Sequence, residues 1–175
     1  MNYASIKPLD IANGSGVRVS LFVSGCPHRC QGCFNKEAWE ESFGQPFTEQ
    51  TQEHILKLLG KNYISGLTLL GGEPLTPDHQ KALWPLIVKV RERFPEKSLW
   101  AFTGYVWPDL QPGGRAYCPE VTPKLLSALQ VLVDGPFVEK LKDIMLKFRG
   151  SSNQRLIDVQ KTLQTGEIVL WSSRR

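Results

Sequence analysis

Four short apolar runs, Val17–Val23, Gly66–Leu70, Ser98–Thr103 and Val131–Val133, are separated by stretches with helical spacing, and this alternation is the strongest constraint on the fold. The runs are aliphatic, aromatic and β-branched, and are shorter than ordinary helices, as strands buried on both faces are. Between them, Thr48 caps a helix predicted over Glu49–Leu59, with Ile55, Leu56, Leu58 and Leu59 as its apolar face and Gly60 as its stop. His79–Phe94 has helical spacing and Pro95 just beyond it; Pro85 is expected to kink or split that helix. Pro123–Leu129 is a shorter helix candidate, and Leu156–Val159 and Glu167–Trp171 are further strand candidates. Strands alternating with helices predict an α/β protein with parallel strands, right-handed crossovers and helices packed outside. A closed eight-fold barrel takes about 250 residues. The 175 residues here allow only a partial one, organised as a single domain over 1–175. The Pro/Gly-rich stretch 108–119 reads as an insertion or lid.

Composition excludes several functions. The net charge is +4, from 21 basic and 17 acidic residues, and the basic residues are scattered apart from the pair Arg174–Arg175, which gives nucleic-acid binding little support. No stretch approaches the roughly 18 apolar residues of a membrane span. Met1–Asp10 lacks the basic-then-apolar profile of a signal peptide, so a cytoplasmic location is expected. Four cysteines without an export signal point to metal or redox chemistry rather than a disulfide framework.

Three of the four lie in Cys26-Pro27-His28-Arg29-Cys30-Gln31-Gly32-Cys33, a C-x3-C-x2-C spacing directly after the first apolar run. Thiolates this close can converge on one metal centre, and Gly25 and Gly32 let the backbone wrap it. Three thiolates on a four-iron cluster leave one iron without a protein ligand, an open catalytic position. A structural zinc held by the same cysteines with His28 or Cys118 is the competing reading, although zinc usually takes paired ligands and no second pair exists.

The other runs end in turns. Gly71-Gly72-Glu73-Pro74 follows the second, Thr103-Gly104-Tyr105 the third and Asp134-Gly135-Pro136 the fourth. At the carboxyl edge of a parallel sheet, where ligands sit, these turns are candidates to meet a cofactor. Thr103 and Asp134 are then candidate polar contacts, or turn residues chosen for backbone reasons.

The cysteine spacing resembles the signature of the radical S-adenosylmethionine superfamily, with Phe34 in the aromatic position after its third cysteine. The resemblance implies a partial TIM-like β/α barrel, a [4Fe-4S] cluster on Cys26, Cys30 and Cys33, and S-adenosyl-L-methionine chelated to the open iron and cleaved to a 5′-deoxyadenosyl radical. It also implies cofactor contacts by Gly32, Cys33 and Phe34, and by Gly71, Gly72 and Glu73, which hold the methionine amino group. Val19–Trp39, Leu132–Phe137 and Phe148-Arg149-Gly150-Ser151-Ser152-Asn153-Gln154-Arg155 resemble, more narrowly, the activating proteins of anaerobic ribonucleoside-triphosphate reductase. That family often carries Asp where Glu73 stands. The implied reaction takes an electron from a flavodoxin-type reductant and removes a hydrogen from a glycine α-carbon of the reductase large subunit, leaving a glycyl radical.

Competing functions are an activase for another glycyl-radical enzyme such as pyruvate formate-lyase, a zinc-stabilised binding module, and a small radical enzyme acting on a metabolite. His28 is assigned to loop packing or surface, His54 and His79 to the surface, and Trp84, Trp100 and Trp107 to core or rim. Arg149 and Gln154 either brace a turn or face the site. No function is carried onto Cys118.

Overall fold

A computed structural model describing residues 1–172 realises the alternation as β1 (Asn2–Asp10), β2 (Val17–Val23), β3 (Gln45–Pro46), α1 (Glu49–Leu59), β4 (Ile64–Gly71), α2 (Pro77–Arg93), β5 (Ser98–Phe102), α3 (Thr122–Ala128), β6 (Val131–Asp134), β7 (Arg155–Asp158) and α4 (Val159–Thr165). The pair Arg174–Arg175 lies outside the described residues. One open sheet runs β3-β1-β2-β4-β5-β6-β7. The expected parallel pairing holds for the central strands β2, β4, β5 and β6, while β1, β3 and β7 pair antiparallel at the two sides. The β1–β2 link is too short for the crossover that a parallel pair needs, so these two strands form a hairpin.

Side-chain alternation divides the sheet into two different faces. Val19, Leu21 and Val23 of β2, Leu67 and Leu69 of β4, Leu99 and Ala101 of β5 and Leu132 of β6 join one core cluster with residues of all four helices, among them Ile55, Leu59, Leu83, Ile87, Val90, Leu125 and Val159. All four helices therefore pack on one face. Burying each large aliphatic side chain there contributes roughly 1.5–3 kcal/mol. The intervening residues Arg18, Ser20, Phe22, Thr68, Leu70, Trp100, Val131 and Val133 are buried on the opposite face. Loops cover that face: the Asn13 carbonyl accepts from Thr68 Oγ1, and Trp100 packs edge-on against Phe148 and Trp171.

Several expectations are corrected. β1 was missed because Pro8 and a largely exposed pattern argue against a strand; β3 covers only its first residues, so most of β1 is an edge, where proline is tolerated. Glu167–Trp171 makes only an isolated bridge from Leu170 to Ile157, and Leu170 is mostly exposed. Pro85 does not split α2, which runs unbroken through it: both Pro85 and Lys81, whose carbonyl loses its donor, sit on the solvent side where water can replace the bond. The stretch 108–119 is not a lid. Leu110, Ala116 and Cys118 belong to the core, and buried Gln80 donates to the Ala116 carbonyl. No helix among the described residues is long and apolar enough to cross a membrane.

Arg18 closes the amino-terminal end of the loop-covered face. Fully buried, it donates to Thr68 Oγ1 at 2.6 Å, Ser98 Oγ at 2.8 Å, and the carbonyls of Leu67 and Ser98 at 2.9 Å, beneath the Trp100 ring. It stitches β2, β4 and β5 together from the side. Arg18→Ala strands several buried acceptors and opens a cavity, so it is expected to cost at least about 3 kcal/mol. Urea unfolding measures this as a lower midpoint at unchanged slope; a loss below about 1 kcal/mol contradicts the assignment.

Candidate functional site

Parallel strands bring their carboxyl ends to one edge, and the register pairs Val23 of β2 with Gly71 of β4. The cysteine loop, the Gly71–Pro74 turn and the Thr103–Tyr105 turn are therefore neighbours, and one carboxylate joins them. Glu73 is fully buried. Its Oε1 accepts from the Leu75 amide and Thr103 Oγ1, both at 2.8 Å; its Oε2 accepts from the Gly104 amide at 2.7 Å and meets His28 Nε2 at 2.9 Å. His28 stands between two of the loop cysteines, so this bond holds the cysteine loop to both following strand ends. Two glycines make the approach possible. A Cβ on Gly72 would lie 2.4 Å from the Gly25 carbonyl oxygen, and one on Gly104 would lie 2.4 Å from the His28 ring. Tyr105 packs edge-on against the other side of that ring, centroids 4.5 Å apart.

These turns surround a cleft of about 330 Å³, lined by Cys26, Cys30 and Cys33, by Phe34 at its rim, and by Gly71, Gly72, Glu73 and Thr103 on the facing wall. That volume lies within the roughly 300–1,000 Å³ typical of small-molecule sites. The loop crosses the left-handed region at Gly25, Arg29 and Gly32, which curls it so that all three thiols reach the cleft. The Asn35 backbone amide donates to Cys33 Sγ at 3.4 Å. Burial pushes the Cys26 thiol up to about 11 and raises that of Cys30 as well. Loading a metal must therefore expel protons. Among the described residues, no three His, Cys, Asp or Glu side chains converge on a single-ion position, which a tetrahedral zinc would need. Three thiols on one loop are the soft donor type that an iron–sulfur centre takes.

The family model for a 4Fe-4S single cluster domain matches residues 12–157. Curated relatives named anaerobic ribonucleoside-triphosphate reductase-activating protein align with 156 residues: that of Enterobacteria phage T4 is 42% identical over 89% of this chain and 93% of its own, that of Escherichia coli strain K12 41% over 88% and 96%, and that of Vibrio cholerae 38% over 88% and 96%. The chain belongs to this family of reductase-activating proteins.

The two runs that most resemble the activating proteins lie far apart in sequence and meet in space. Leu132–Phe137 and Phe148–Arg155 flank the antiparallel β6–β7 pair, and three side chains bolt them together. Arg155 donates Nε to Asp134 Oδ1 at 2.9 Å and Nη2 to Oδ2; Asn153 donates to the Pro136 carbonyl at 2.8 Å; Gln154 donates to the Gly135 carbonyl at 3.0 Å. Gln154 Oε1 also accepts the Gly150 and Ser151 amides, and Arg149 Nη1 donates to the Gln154 carbonyl. Arg149 and Gln154 thus brace a turn and line the cleft as well, which settles the choice that the sequence left open.

Two expected cofactor contacts of this activating-protein family member stand elsewhere. Asp134 does not line the cleft: fully buried, it is engaged by Arg155 and the Trp107 amide at 2.9 Å. Gly32 does not line it either; it gives the backbone its left-handed turn and lets Glu139 approach. His79 is more central than its surface assignment, and His28 takes the loop-packing role. His79 is buried, and its Nδ1 lies 2.6 Å from the Glu73 carbonyl oxygen. His28 is the link to Glu73. The His28 pairing has no local sequence signal because it depends on strand ends brought together by the sheet, whereas that of His79 spans only the turn between β4 and α2. Trp39, Phe102, Phe137 and Phe148 also line the cleft and were not singled out for it.

Removing the ring in His28→Ala deprives a buried carboxylate of one donor in four, a loss of about 1.5–3 kcal/mol. The expected outcome is a lower Tm with unchanged far-UV circular dichroism, and less iron retained per chain after anaerobic loading and gel filtration. Iron retention equal to the parent's contradicts the clamp.

Proposed function

We propose that the protein activates an anaerobic ribonucleoside-triphosphate reductase by generating its glycyl radical, using a [4Fe-4S] cluster on Cys26, Cys30 and Cys33 and S-adenosyl-L-methionine in the adjoining cleft. One observation carries this reading: three thiols from one loop open onto a cleft whose facing wall is the Gly-Gly turn of the neighbouring strand. Family membership supports the target, because the relatives are named for that reductase. When bound, the pair would supply a reductively generated adenosyl radical able to take hydrogen from a glycine α-carbon.

The chain's own residues bind, orient and exclude. Cys26, Cys30 and Cys33 would hold the cluster and leave one iron free for the amino acid end of the cofactor. Gly71 and Gly72 would offer backbone to its ammonium group, while their missing side chains let the turn pack against Phe22, Val23 and Gly25. Glu73 acts at one remove in this reading, since its carboxylate already has four donors. Thr103 likewise serves the turn by donating to Glu73. Phe34, 87% exposed at the rim, becomes a lid surface when substrate covers it. Hydrogen-atom abstraction requires no general acid or base, and His28 and Glu73 in the cleft are bound to each other.

We read the open sheet as a partial TIM-like barrel of the radical S-adenosylmethionine type, organised as one domain. The reading is supported by helices on one face only and by a cleft at the carboxyl ends of the central strands on the other. The open side leaves room for a macromolecular substrate, and a flavodoxin-type protein is the proposed electron donor.

Cys26→Ser, Cys30→Ser and Cys33→Ser each break a three-ligand site, whereas Cys118→Ala alters only a core contact worth about 1 kcal/mol. After anaerobic loading, incubation with the reductase, S-adenosylmethionine and dithionite is followed by electron paramagnetic resonance. The three loop variants are expected to give no glycyl radical, and Cys118→Ala the parent's yield. A radical formed by any loop variant overturns the ligand assignment; a radical formed on pyruvate formate-lyase but not on the reductase overturns the target.

A further inference from the structure

The segment 138–150 links the two bolted runs and continues the cleft's rim. It abuts the cysteine loop: a Cβ on Gly32 would lie 2.6 Å from the Glu139 carboxylate. At its other end Leu146 and Phe148 line the cleft itself. Between these anchors Ile144 is 88% exposed, Met145 82% and Leu141 43%.

Their exposure is imposed by the backbone. Asp143 Oδ1 accepts the Met145 amide at 2.8 Å, and the Asp143 carbonyl accepts the Leu146 amide, closing a tight turn at the tip. Below the tip, the Ser152 amide donates to the Leu141 carbonyl, the Asp143 amide to the Gly150 carbonyl, and Lys142 forms a bridge with Ser151. The turn therefore holds Ile144 and Met145 outward, away from the core, although burying either would contribute about 1.5–3 kcal/mol. Contiguous apolar exposure of this kind marks an interaction surface. Lys140, Lys142 and Lys147 flank the tip and have no ion-pair partner among the described residues.

We propose that the 141–147 tip is a docking ridge for the protein substrate, received by an apolar pocket edged with acidic side chains beside the reductase's glycine-bearing segment. This rests on the function proposed above. Hydrogen-atom abstraction requires the glycine α-carbon to reach van der Waals contact inside the cleft, so the polypeptide carrying it must cross the rim. The ridge is continuous with that rim through Leu146 and Phe148. Its cationic flanks select an acidic counterpart and speed encounter, while the apolar pair supplies the residence time.

The test uses the cluster-loaded, full-length double variant Ile144→Ser/Met145→Ser, neither residue of which lines the cleft. Three quantities are measured against the parent: dithionite-driven cleavage of S-adenosylmethionine without reductase, glycyl-radical formation as a function of reductase concentration, and sedimentation of the protein alone. Cleavage and sedimentation are expected to be unchanged, and the reductase concentration for half-maximal radical formation to rise at least about tenfold at an unaltered plateau. Charge reversal in Lys140→Glu/Lys142→Glu is expected to raise it too, by a factor that shrinks with added salt. A half-maximal concentration equal to the parent's in both variants overturns the proposal. So does a lowered plateau with no shift, which places the tip in the chemistry, or faster sedimentation of the parent than of the Ile144→Ser/Met145→Ser variant, which assigns the ridge to a second copy of this chain. Absence of radical with the parent protein instead refutes the function on which the proposal rests.

Discussion

The architecture of the site depends on burying one carboxylate. A carboxylate removed from water is tolerated only if hydrogen bonds replace its hydration, and Glu73 obtains four from three segments: His28 in the cysteine loop, Leu75 in its own turn, and Thr103 with Gly104 after β5. Satisfying that charge fixes the spacing between the loop bearing the thiols and the two strand ends beside it. The steric conditions are as strict as the polar ones, since Gly72 and Gly104 leave no room for a methyl group. His79 adds a second tie from α2 to the same turn by approaching the Glu73 carbonyl. A metal centre assembled on the loop is thereby held in fixed relation to the wall across the cleft, which is what positioning an attached cofactor demands.

The division of the sheet into two faces makes the space. Helices on one face supply the continuous apolar core, and the other face, closed by loops, tolerates the mixture of Phe, Trp, Thr, Ser and Arg that a cofactor cleft and its foundations require. Arg18 is the charge buried at its amino-terminal margin, and Asp134, on the side of Leu132, is buried at the end of β6; each is engaged by several partners. The Asp134–Arg155 pair fixes the far wall as Glu73 fixes the near one, so both walls are set by carboxylates whose roles are structural.

What could be read in the sequence follows the range of the interactions. Local patterns were sufficient for α1, with its Thr48 cap and Gly60 stop, for the strands carrying the aliphatic runs, and for the cysteine loop, whose spacing confines three thiols to eight residues. β1 escaped because an edge strand obeys weaker rules, and α2 survived Pro85 because solvent can satisfy the carbonyl freed in its interior. The 108–119 stretch looked like a lid because glycines and prolines mark irregular backbone, and nothing local distinguishes a packed irregular segment from a mobile one. His79 and Asp134 have roles defined by their partners, the Glu73 carbonyl in the preceding turn and Arg155 on the neighbouring strand, so residue type alone could not separate a brace from a surface group or a ligand contact.

The central claim is that the clamped loop presents a cluster with one iron open to S-adenosylmethionine in the cleft. Electron paramagnetic resonance of the anaerobically loaded, dithionite-reduced protein, recorded without reductase before and after adding S-adenosylmethionine, tests it most directly. The account predicts a reduced-cluster signal whose g values shift on addition of the cofactor, because the open iron gains ligands. A colourless protein with no such signal, or a cluster signal indifferent to the cofactor, would contradict it.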